Sequence, residues 1–351
     1  MTPEGAPAPS TPAPLLDERR VAAWLEEHAG VAGPLTGERV GGGNSNATFL
    51  LRGPDGPLVL RRPPAAAVSG TAHSMAREHR VLQALAGTDV PAARPVALCE
   101  DAGVTGAPFL VMEHVDGVAI TDPLPAGYSP GESTLRRLGE EMIDGLAALH
   151  RVDWQAVGLG DFGRPEQFLE RQVSRWTRQY EGHAVRDLPR FAQLAGWLDA
   201  HRPPEWTPGL MHGDFHLDNC LFSPSEPRLL AIIDWELATI GDPLMDVGLA
   251  LAFWGRRPLD PPAMPQVQAV SRHSGAPSRD ELASRYGQRS GRGVHHLSWY
   301  MVLALWKLAA IVEGAYAQYL DGRLTTDYAR RLGDDVPLLL EEAAHTAGLV
   351  R

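Results

Sequence analysis

The sequence predicts an α+β protein with a small antiparallel β-rich lobe followed by a larger helical lobe. Short alternating runs bounded by glycine, proline and aspartate fill much of the first third, and longer helical patterns fill the remainder. The length of 351 residues exceeds what one compact core usually takes, which fits two lobes. We place a disordered Pro/Ala/Ser/Thr-rich tail at 1–14, the first lobe at 15–113 and the helical lobe at 114–351.

The first lobe is predicted to contain two helices and four strands. The turn signal Pro54-Asp55-Gly56 separates the first two strands into a β-hairpin, and a glycine-rich run at 41–46 supplies an earlier turn. The predicted strands are 47–52, 58–61, 95–100 and 108–114, and the predicted helices are 15–29 and 72–86.

The second lobe is predicted to be mostly helical, with one buried strand at 229–233. The sequence contains no internal repeat. The predicted helices are 132–151, 165–181, 187–201, 243–254, 279–288, 296–320 and 325–346.

Composition narrows the functional classes. A formal net charge of −11 disfavours nucleic acid as a partner, because that binding needs a basic surface. Two cysteines, Cys99 and Cys220, are too few for a disulfide framework or a cysteine metal site. The N-terminus lacks the pattern of a secretory signal, and the apolar run 301–312 is too short to span a bilayer. We therefore expect a cytoplasmic protein with no membrane or nucleic-acid partner, and its oligomeric state stays open.

One pair of motifs carries the chemistry of phosphoryl transfer. That reaction needs a carboxylate near the acceptor hydroxyl and oxygen ligands for Mg²⁺, held on rigid neighbouring elements. In the run 212–219, Asp214 is the candidate catalytic base and Asn219, five residues later, is a candidate metal ligand. The buried strand at 229–233 delivers Asp234, the second candidate ligand. His216 and Asp218 lie on the same loop, where a merely solvated role is equally open.

Three motifs together resemble the aminoglycoside phosphotransferase and choline kinase-like family, which has the bilobal protein-kinase-like fold. They are His-Gly-Asp-x-x-x-x-Asn from His212, Ile-Asp-Trp-Glu from Ile233 and Gly-Asp-Pro-x-x-Asp from Gly241. The resemblance extends over about residues 30–346. It implies a kinase that uses Mg²⁺ and ATP, with GTP as an alternative, to phosphorylate a small-molecule acceptor. It also implies that His212 and Asp246 support the catalytic loop.

The nucleotide-binding residues are expected in the first lobe. Backbone N–H groups of the glycine run could cradle phosphates, although a simple hairpin turn is the alternative. The resemblance implies that Arg61 replaces the usual phosphate-binding lysine, with Glu78 as its partner and Arg62 as the fallback. The backbone between Glu113 and Val115 could bind the base, although an edge strand is the alternative. The run contributes the candidates Gly42, Gly43, Ser45 and Asn46.

The acceptor-binding residues are expected after Asp246. The region 255–296 contains seven arginines against three acidic residues, which favours an anionic or neutral acceptor over a polycation. Alternatively, these arginines are solvated or bind acidic parts of the same chain. Glu236 and Lys307 are further candidates for acceptor binding, but Lys307 could instead pair with Glu313 or Glu236.

Three local sequences resemble one branch of the family. The runs 60–64, 77–82 and 307–311 are similar to the kinase-like domain that is fused to acyl-CoA dehydrogenases in animals. This resemblance implies a hydroxyacyl-CoA or a hydroxy acid as the acceptor. The alternatives are an aminoglycoside or macrolide kinase and a catalytically weak pseudokinase, which Arg61 motivates. A protein kinase is disfavoured, because no Ala-Pro-Glu motif follows Asp234.

Overall fold

A computed structural model describes residues 16–40, 46–63, 74–129 and 131–350. The chain forms two compact units. The first comprises the chain up to Gln83 together with Arg94–His114, and the second comprises Ala84–Ala93 and everything from Val115. The segment Ala84–Ala93 therefore packs with the second unit, although the sequence division assigned it to the first lobe.

The first unit contains a five-stranded antiparallel sheet in the order β1-β2-β3-β5-β4. The antiparallel sheet of the predicted fold class is confirmed. The first strand was not predicted, because its sequence Thr-Gly-Glu-Arg-Val is mostly exposed and lacks an apolar alternation. The strands are β1 (Thr36–Val40), β2 (Ala47–Gly53), β3 (Gly56–Arg62), β4 (Pro95–Cys99) and β5 (Phe109–Glu113).

The predicted hairpin joins β2 and β3 through a two-residue turn at Pro54 and Asp55, with Gly53 opposite Gly56. Gly56 has φ +104°, a backbone conformation that residues with a Cβ rarely adopt. The Asp55 carboxylate accepts a hydrogen bond from the Ala32 backbone N–H at 2.8 Å. The glycine of the turn signal Pro54-Asp55-Gly56 is therefore required by the backbone conformation at that position.

Three helices accompany the sheet: α1 (Glu18–Ala29), α2 (Met75–Leu85) and α3 (Ala102–Thr105). The helix α1 begins three residues later than predicted, because the Asp17 side chain caps it by accepting from the Arg20 N–H. Residues of α1 and the sheet share one buried core. Its members are Val21, Leu25, Leu35, Ala47, Phe49, Leu51, Leu60, Cys99, Phe109 and Val111.

In the described part of the second unit, seven helices of at least ten residues form most of the structure, as predicted. One boundary of these helices differs from the prediction by more than two residues, since α5 starts at Glu170 instead of 165. Gln167 has φ +52°, which no helix accommodates, so residues 165–169 form turns. The helices are α4 (Glu132–His150), α5 (Glu170–Glu181), α6 (Pro189–Ala200), α7 (Leu244–Phe253), α8 (Arg279–Ser290), α9 (Leu297–Leu320) and α10 (Asp327–Thr346).

Short strands position the loops of the second unit. One small sheet has the order β6-β8-β9 and the other pairs β10 with β7. Of these strands only β9 was predicted, since two or three residues are too few for a periodic pattern. They are β6 (Val118–Ala119), β7 (Gly209–Met211), β8 (Cys220–Phe222), β9 (Leu229–Ile232) and β10 (Thr239–Gly241).

The segment Ala84–Ala93 meets β9 at its end. The Ile232 N–H donates to the Pro91 carbonyl at 2.8 Å, and Ala92 forms a parallel bridge with Ile232. A piece of chain from before β4 is thereby built into the sheet that leads to Asp234.

The helix α9 is the central helix of the second unit and packs against α5, α6, α7 and α10. By length and composition, with a mean hydropathy of 1.3, it is apolar enough to cross a membrane. The apolar segment is therefore longer than the run 301–312, which the sequence analysis judged too short to span a bilayer. However, 67% of its apolar window is buried inside the protein, which is typical of a core helix.

Candidate active site

The loop between β7 and β8 is held at its start by Asp246, in the first turn of α7. The Asp246 carboxylate accepts hydrogen bonds from the backbone N–H groups of His212 at 2.7 Å and Gly213 at 2.9 Å. Gly213 has φ +88°, and a Cβ there would lie 2.4 Å from the Leu237 carbonyl oxygen. Only glycine fits this turn just before Asp214, because any larger residue would meet the Leu237 backbone.

His212 is fully buried and ties the loop to the end of β9. Its Nε2 donates to the Ile233 carbonyl at 2.8 Å, and its Nδ1 accepts from the Asp214 backbone N–H at 3.3 Å. One ring nitrogen therefore bonds within the loop and the other bonds to the chain after β9. The residue expected to support the loop therefore lies where it can do so.

Asp214 is partly buried and ionised. Burial disfavours its carboxylate, but the hydrogen bond and charge of His216, with the charges of His212 and Lys307, lower the pKa of Asp214 to about 2. A carboxylate in this state can accept a proton from a hydroxyl or orient that hydroxyl for attack.

His216 lies between two carboxylates. Its Nε2 is 3.8 Å from Asp214 Oδ2, and its Nδ1 is 3.7 Å from Asp218 Oδ2. Burial lowers the pKa of His216, but Asp214, followed by Asp218 and Asp234, outweighs burial and raises it. The sequence left open whether His216 is merely solvated. The structure shows that it pairs with the candidate base.

Asn219 and Asp234, the two candidate metal ligands, stand on adjacent chain segments. The Ile233 N–H donates to the Asn219 backbone carbonyl at 2.9 Å. The Asn219 side-chain Nδ2 donates to the Asp214 backbone carbonyl at 2.8 Å, which leaves Oδ1 without a donor in the described chain. Asp234 has φ +68°, a strained conformation for a residue with a Cβ, and such strain often marks functional sites.

These oxygen donors fit Mg²⁺, a hard cation that binds carboxylate and amide oxygens. Asp218 Oδ1, beside Asn219, is buried and has no hydrogen-bond partner in the described residues. Within the same residues, no group of three or more His, Cys, Asp or Glu side chains could hold a metal ion. The loop offers Asn219 and the chain after β9 offers Asp234, and an amide and a carboxylate oxygen are donors that suit Mg²⁺.

A buried histidine that the sequence did not indicate supports this arrangement from behind. His150, at the end of α4, has Nε2 3.3 Å from Asp246 Oδ2 and Nδ1 2.8 Å from the Tyr286 hydroxyl. Burial lowers the pKa of His150, and the attraction of Asp246 only partly opposes this. His150 and Asp246 lie 96 residues apart, so no motif spacing connects them.

Asp242, the first aspartate of the Gly-Asp-Pro-x-x-Asp motif, contacts α9 instead of the loop. Its carboxylate accepts from the Tyr300 hydroxyl at 2.5 Å and from the Leu244 N–H at 3.1 Å. Burial raises the pKa of Asp242. Asp242 therefore anchors Tyr300 and the start of α7.

In the first unit, Arg61 forms an ion pair with Glu78, the partner that the sequence suggests. Glu78 is 1% exposed, so its charge is desolvated beside the guanidinium. The fallback Arg62 points to a different partner, because its guanidinium donates to the Thr105 carbonyl at 2.6 Å. Asn46 is buried. The candidates Gly42, Gly43 and Ser45 lie outside the described residues.

The candidate base-binding residues are only partly available. The Glu113 N–H donates to the Arg94 carbonyl at 2.9 Å, so it cannot also bind a nucleotide base. The expectation that the backbone between Glu113 and Val115 binds the base stays a prediction. The Val115 carbonyl accepts from the Gly117 N–H at 2.9 Å, and the Val115 N–H has no partner in the described chain.

A cavity of about 150 Å³ opens beside Asp214 in the second unit. Its walls are mainly apolar, and Asp214 and Lys307 are the charged residues that line it. Glu236, a predicted acceptor-binding residue, does not line it, but the adjacent Leu237 does. The lining residues are Gly213, Asp214, Leu237, Met245, Leu249, Tyr300, Ala304, Lys307, Leu308 and Ile311.

Lys307 does not pair with Glu313, contrary to one predicted alternative. Glu313 is bound by Arg186 at 2.9 Å. Six residues along a helix correspond to about 600°, so Lys307 and Glu313 point about 120° apart on α9. The Lys307 Nζ instead lies 3.5 Å from the Gly213 carbonyl oxygen and 5.2 Å from the centre of the Trp176 ring.

The arginines of region 255–296 do not form the predicted basic acceptor surface, because most of them bind this chain. Arg257 pairs with Glu342, and Arg285 pairs with Asp144. Arg292 donates to three backbone carbonyls. The alternative, that these arginines bind parts of the same chain, agrees with the contacts. The remaining members with contacts inside the chain are Arg272, Arg279 and Arg289.

A family model and a curated relative both match most of this chain. Residues 36–283 match the model of the family described as "Phosphotransferase enzyme family". The chain is 35% identical over 323 residues to human acyl-CoA dehydrogenase family member 11, covering 89% of this chain and 40% of that protein. The chain thus spans about two fifths of the length of this curated relative.

Solved structures agree with this. A crystal structure from Ralstonia eutropha JMP134, provisionally described as an aminoglycoside phosphotransferase, has a TM-score of 0.82 and 36% identity, covering 95% of this chain and 99% of that one. Aminoglycoside phosphotransferase APH(4)-Ia, in ternary complex with AMP-PNP and hygromycin B, has a TM-score of 0.60 and 18% identity, covering 93% and 97%. The second likeness concerns the fold alone.

Proposed function

Because this chain belongs to the phosphotransferase enzyme family and is a small-molecule kinase, we propose that it phosphorylates a hydroxyl of an anionic or neutral acceptor. A hydroxyacyl-CoA or a hydroxy acid is the proposed acceptor, ATP the proposed donor and Mg²⁺ the proposed metal.

The observation that carries this proposal is the ionised Asp214 carboxylate at the edge of an apolar cavity. Asp214 is the one acidic residue among those lining this cavity. A polycationic aminoglycoside would find few carboxylates there, whereas an aliphatic chain would find apolar walls. The exposed side chains of Leu237 and Ile311, 41% and 36% accessible, extend these walls towards solvent.

The relatives support the same acceptor class. The human relative carries the name of an acyl-CoA dehydrogenase family, and this chain matches about two fifths of it. A kinase region within such a protein would have acyl groups nearby, so an acyl group that bears a hydroxyl is a suitable acceptor. The predicted basic region no longer supports an anionic acceptor, because its arginines are used internally.

Residues of this chain can be assigned to the proposed transfer. The acceptor oxygen attacks the γ-phosphorus, its proton passes to Asp214, and the bond to the β–γ bridging oxygen breaks. Asp246 and His212 hold the backbone on both sides of Gly213, which keeps Asp214 in one position. His216 keeps the Asp214 carboxylate ionised.

Asn219 and Asp234 would hold Mg²⁺, which when bound supplies positive charge to the phosphate oxygens. On the first unit, Arg61 is the proposed phosphate contact, and Glu78 fixes its guanidinium. Arginine keeps the positive charge of the lysine that the family normally has, so we favour an active kinase over a pseudokinase.

The test is nucleotide consumption by the purified protein with Mg²⁺, with ATP and GTP assayed separately. The acceptors span hydroxyacyl-CoAs, free hydroxy acids, sugars, aminoglycosides and macrolides, and phosphorus NMR identifies a new phosphomonoester. We expect turnover with a hydroxyacyl compound and at least about a hundredfold less turnover with Asp214→Asn. Turnover with aminoglycosides alone would contradict the acceptor class, and tight nucleotide binding without turnover would favour the pseudokinase.

A further inference from the structure

Lys307 is the single lysine of this chain, in which the 32 lysine and arginine residues are otherwise all arginine. Arginine provides the cations of the surface ion pairs and also occupies the position of Arg61. Arginine and lysine are not interchangeable, because the ammonium is a compact point charge and the guanidinium a planar fork. A lysine at this one position indicates a requirement that arginine does not meet.

The ammonium of Lys307 has unused hydrogen-bonding capacity. It carries three N–H donors. Within the described residues its one hydrogen bond is to the Gly213 carbonyl, at the long distance of 3.5 Å, and its other close contact is the Trp176 ring. Since a partly buried cation with open donors is costly, a ligand oxygen in the cavity would stabilise it.

The charged groups that face Lys307 come from three elements. Asp214 on the loop and Asp246 on α7 attract the ammonium, and Arg175 on α5 repels it. Burial is the largest effect and lowers the pKa of Lys307, so the two carboxylates do not fully compensate it. An additional oxygen anion would improve this balance.

The cavity contains one carboxylate and one ammonium at its apolar walls. A carboxylate repels an anionic group but accepts a hydrogen bond from a hydroxyl, whereas an ammonium binds an oxygen anion or a carbonyl oxygen. The two side chains therefore distinguish the two ends of an acceptor that has both a hydroxyl and an acyl group.

We propose that Lys307 determines acceptor specificity by binding an acyl oxygen, as a carboxylate or a thioester carbonyl, while Asp214 binds the hydroxyl to be phosphorylated. This inference rests on the proposed phosphotransferase function. It adds a residue that selects among hydroxyl compounds and assigns the orientation of the acceptor in the cavity.

The kinetic test compares Lys307→Met and Lys307→Arg with wild type. The acceptors are a hydroxy acid, its CoA thioester and the matched diol, which lacks the acyl oxygen. For Lys307→Met we expect kcat/KM for the acyl acceptors to fall about tenfold to a hundredfold more than kcat/KM for the diol, as for a lost charge-assisted hydrogen bond. Lys307→Arg should restore part of the discrimination. Arg178→Met, which removes a cation at an exposed position of α5, is the control.

A spectroscopic test does not depend on turnover. Lysine labelled with carbon-13 at Cε gives one signal from this chain, because Lys307 is the single lysine. We expect that signal to shift when a hydroxy acid or its thioester is added without nucleotide, and to stay in place with the diol. A shift of the lysine signal with the hydroxy acid identifies a carboxylate as the partner of Lys307, and a shift with the CoA thioester identifies a thioester carbonyl.

Two outcomes would overturn the inference. One is an unmoved lysine signal with acceptors that wild type phosphorylates. The other is a Lys307→Met variant whose kcat falls equally for acyl acceptors and diol, which indicates a purely structural contact with Gly213. Absence of turnover with every acceptor would instead contradict the proposed function, and the lysine signal would still report binding separately.

Discussion

The buried ring of His150 lies 3.3 Å from the carboxylate of Asp246, the same carboxylate that binds two backbone N–H groups of the catalytic loop. Asp246 thus has three donors from two elements. The loop that carries Asp214 is therefore connected through one side chain to the end of α4. A substitution at His150 should therefore alter how firmly Asp246 holds the loop, although His150 is not part of any catalytic motif.

We predict that His150 makes the stability of the protein depend on pH. Burial lowers its folded-state pKa below the unfolded value of about 6.5. The unfolded chain therefore binds more protons below that pH, so the stabilisation is complete above about pH 6.5 and is lost as pH falls towards the folded pKa. Urea unfolding across this range should show a shallower pH dependence for His150→Gln than for wild type. His201→Gln, at an exposed histidine, is the control, and parallel curves for His150→Gln and wild type would contradict this prediction.

Asp246→Asn should impair the loop without touching the reacting groups. Asparagine keeps one acceptor oxygen but loses the second, so one buried donor at the start of the loop would lose its partner. We expect the free energy of unfolding to fall by about 1–3 kcal/mol and kcat by up to about a hundredfold, with a smaller change in KM. Thermal denaturation and steady-state kinetics measure the two effects. Wild-type kcat in a destabilised variant would mean that Asp246 contributes to stability alone.

Asp214→Asn should reduce turnover by about a hundredfold to ten-thousandfold while nucleotide affinity stays near wild type, since the amide keeps the shape but loses the basicity. Calorimetric titration with a non-hydrolysable ATP analogue separates the two properties. The pKa of about 2 keeps Asp214 ionised at any pH near neutrality, so an activity loss between about pH 7 and pH 5 must come from another group. Full activity in this variant would exclude Asp214 as the base.

Arg61 should be required for ATP but replaceable by lysine. Arg61→Lys keeps a cation near Glu78, so we expect KM for ATP within about tenfold of wild type. Arg61→Met removes the cation beside a buried carboxylate, and we expect a larger rise in KM for ATP together with lower stability. Initial rates at varied ATP give both values. An unchanged KM for ATP in the methionine variant would remove Arg61 from the nucleotide site.

Long elements were predictable because their apolar pattern repeats over several turns. The helices α4, α9 and α10 were each predicted within two residues of both ends. Strands of two or three residues, such as β7 and β10, contain less than two periods and give no such signal. These short strands nevertheless set where the loop before Asp214 begins, so its position became visible only in the structure.

The residues of the loop were predictable because a fixed spacing connects them, as for Asp214 and Asn219. Residues that act from elsewhere were not. His150 reaches Asp246 from another helix, and Lys307 lines the cavity beside Asp214 instead of pairing with Glu313. For region 255–296, net charge was misleading, because it counts arginines without showing which carbonyls and carboxylates they bind.

The join between Ala92 and Ile232 limits how this chain can be divided. A fragment that begins at Val115 would lack Pro91, whose carbonyl accepts from the Ile232 N–H two residues before Asp234. Such a fragment would have to fold without one edge of the sheet that leads to Asp234. An exchange of the N-terminal sheet between relatives would therefore also replace residues 84–93, which pack with the second unit. A chimera has to keep residues 84–93 matched to the partner they meet at β9.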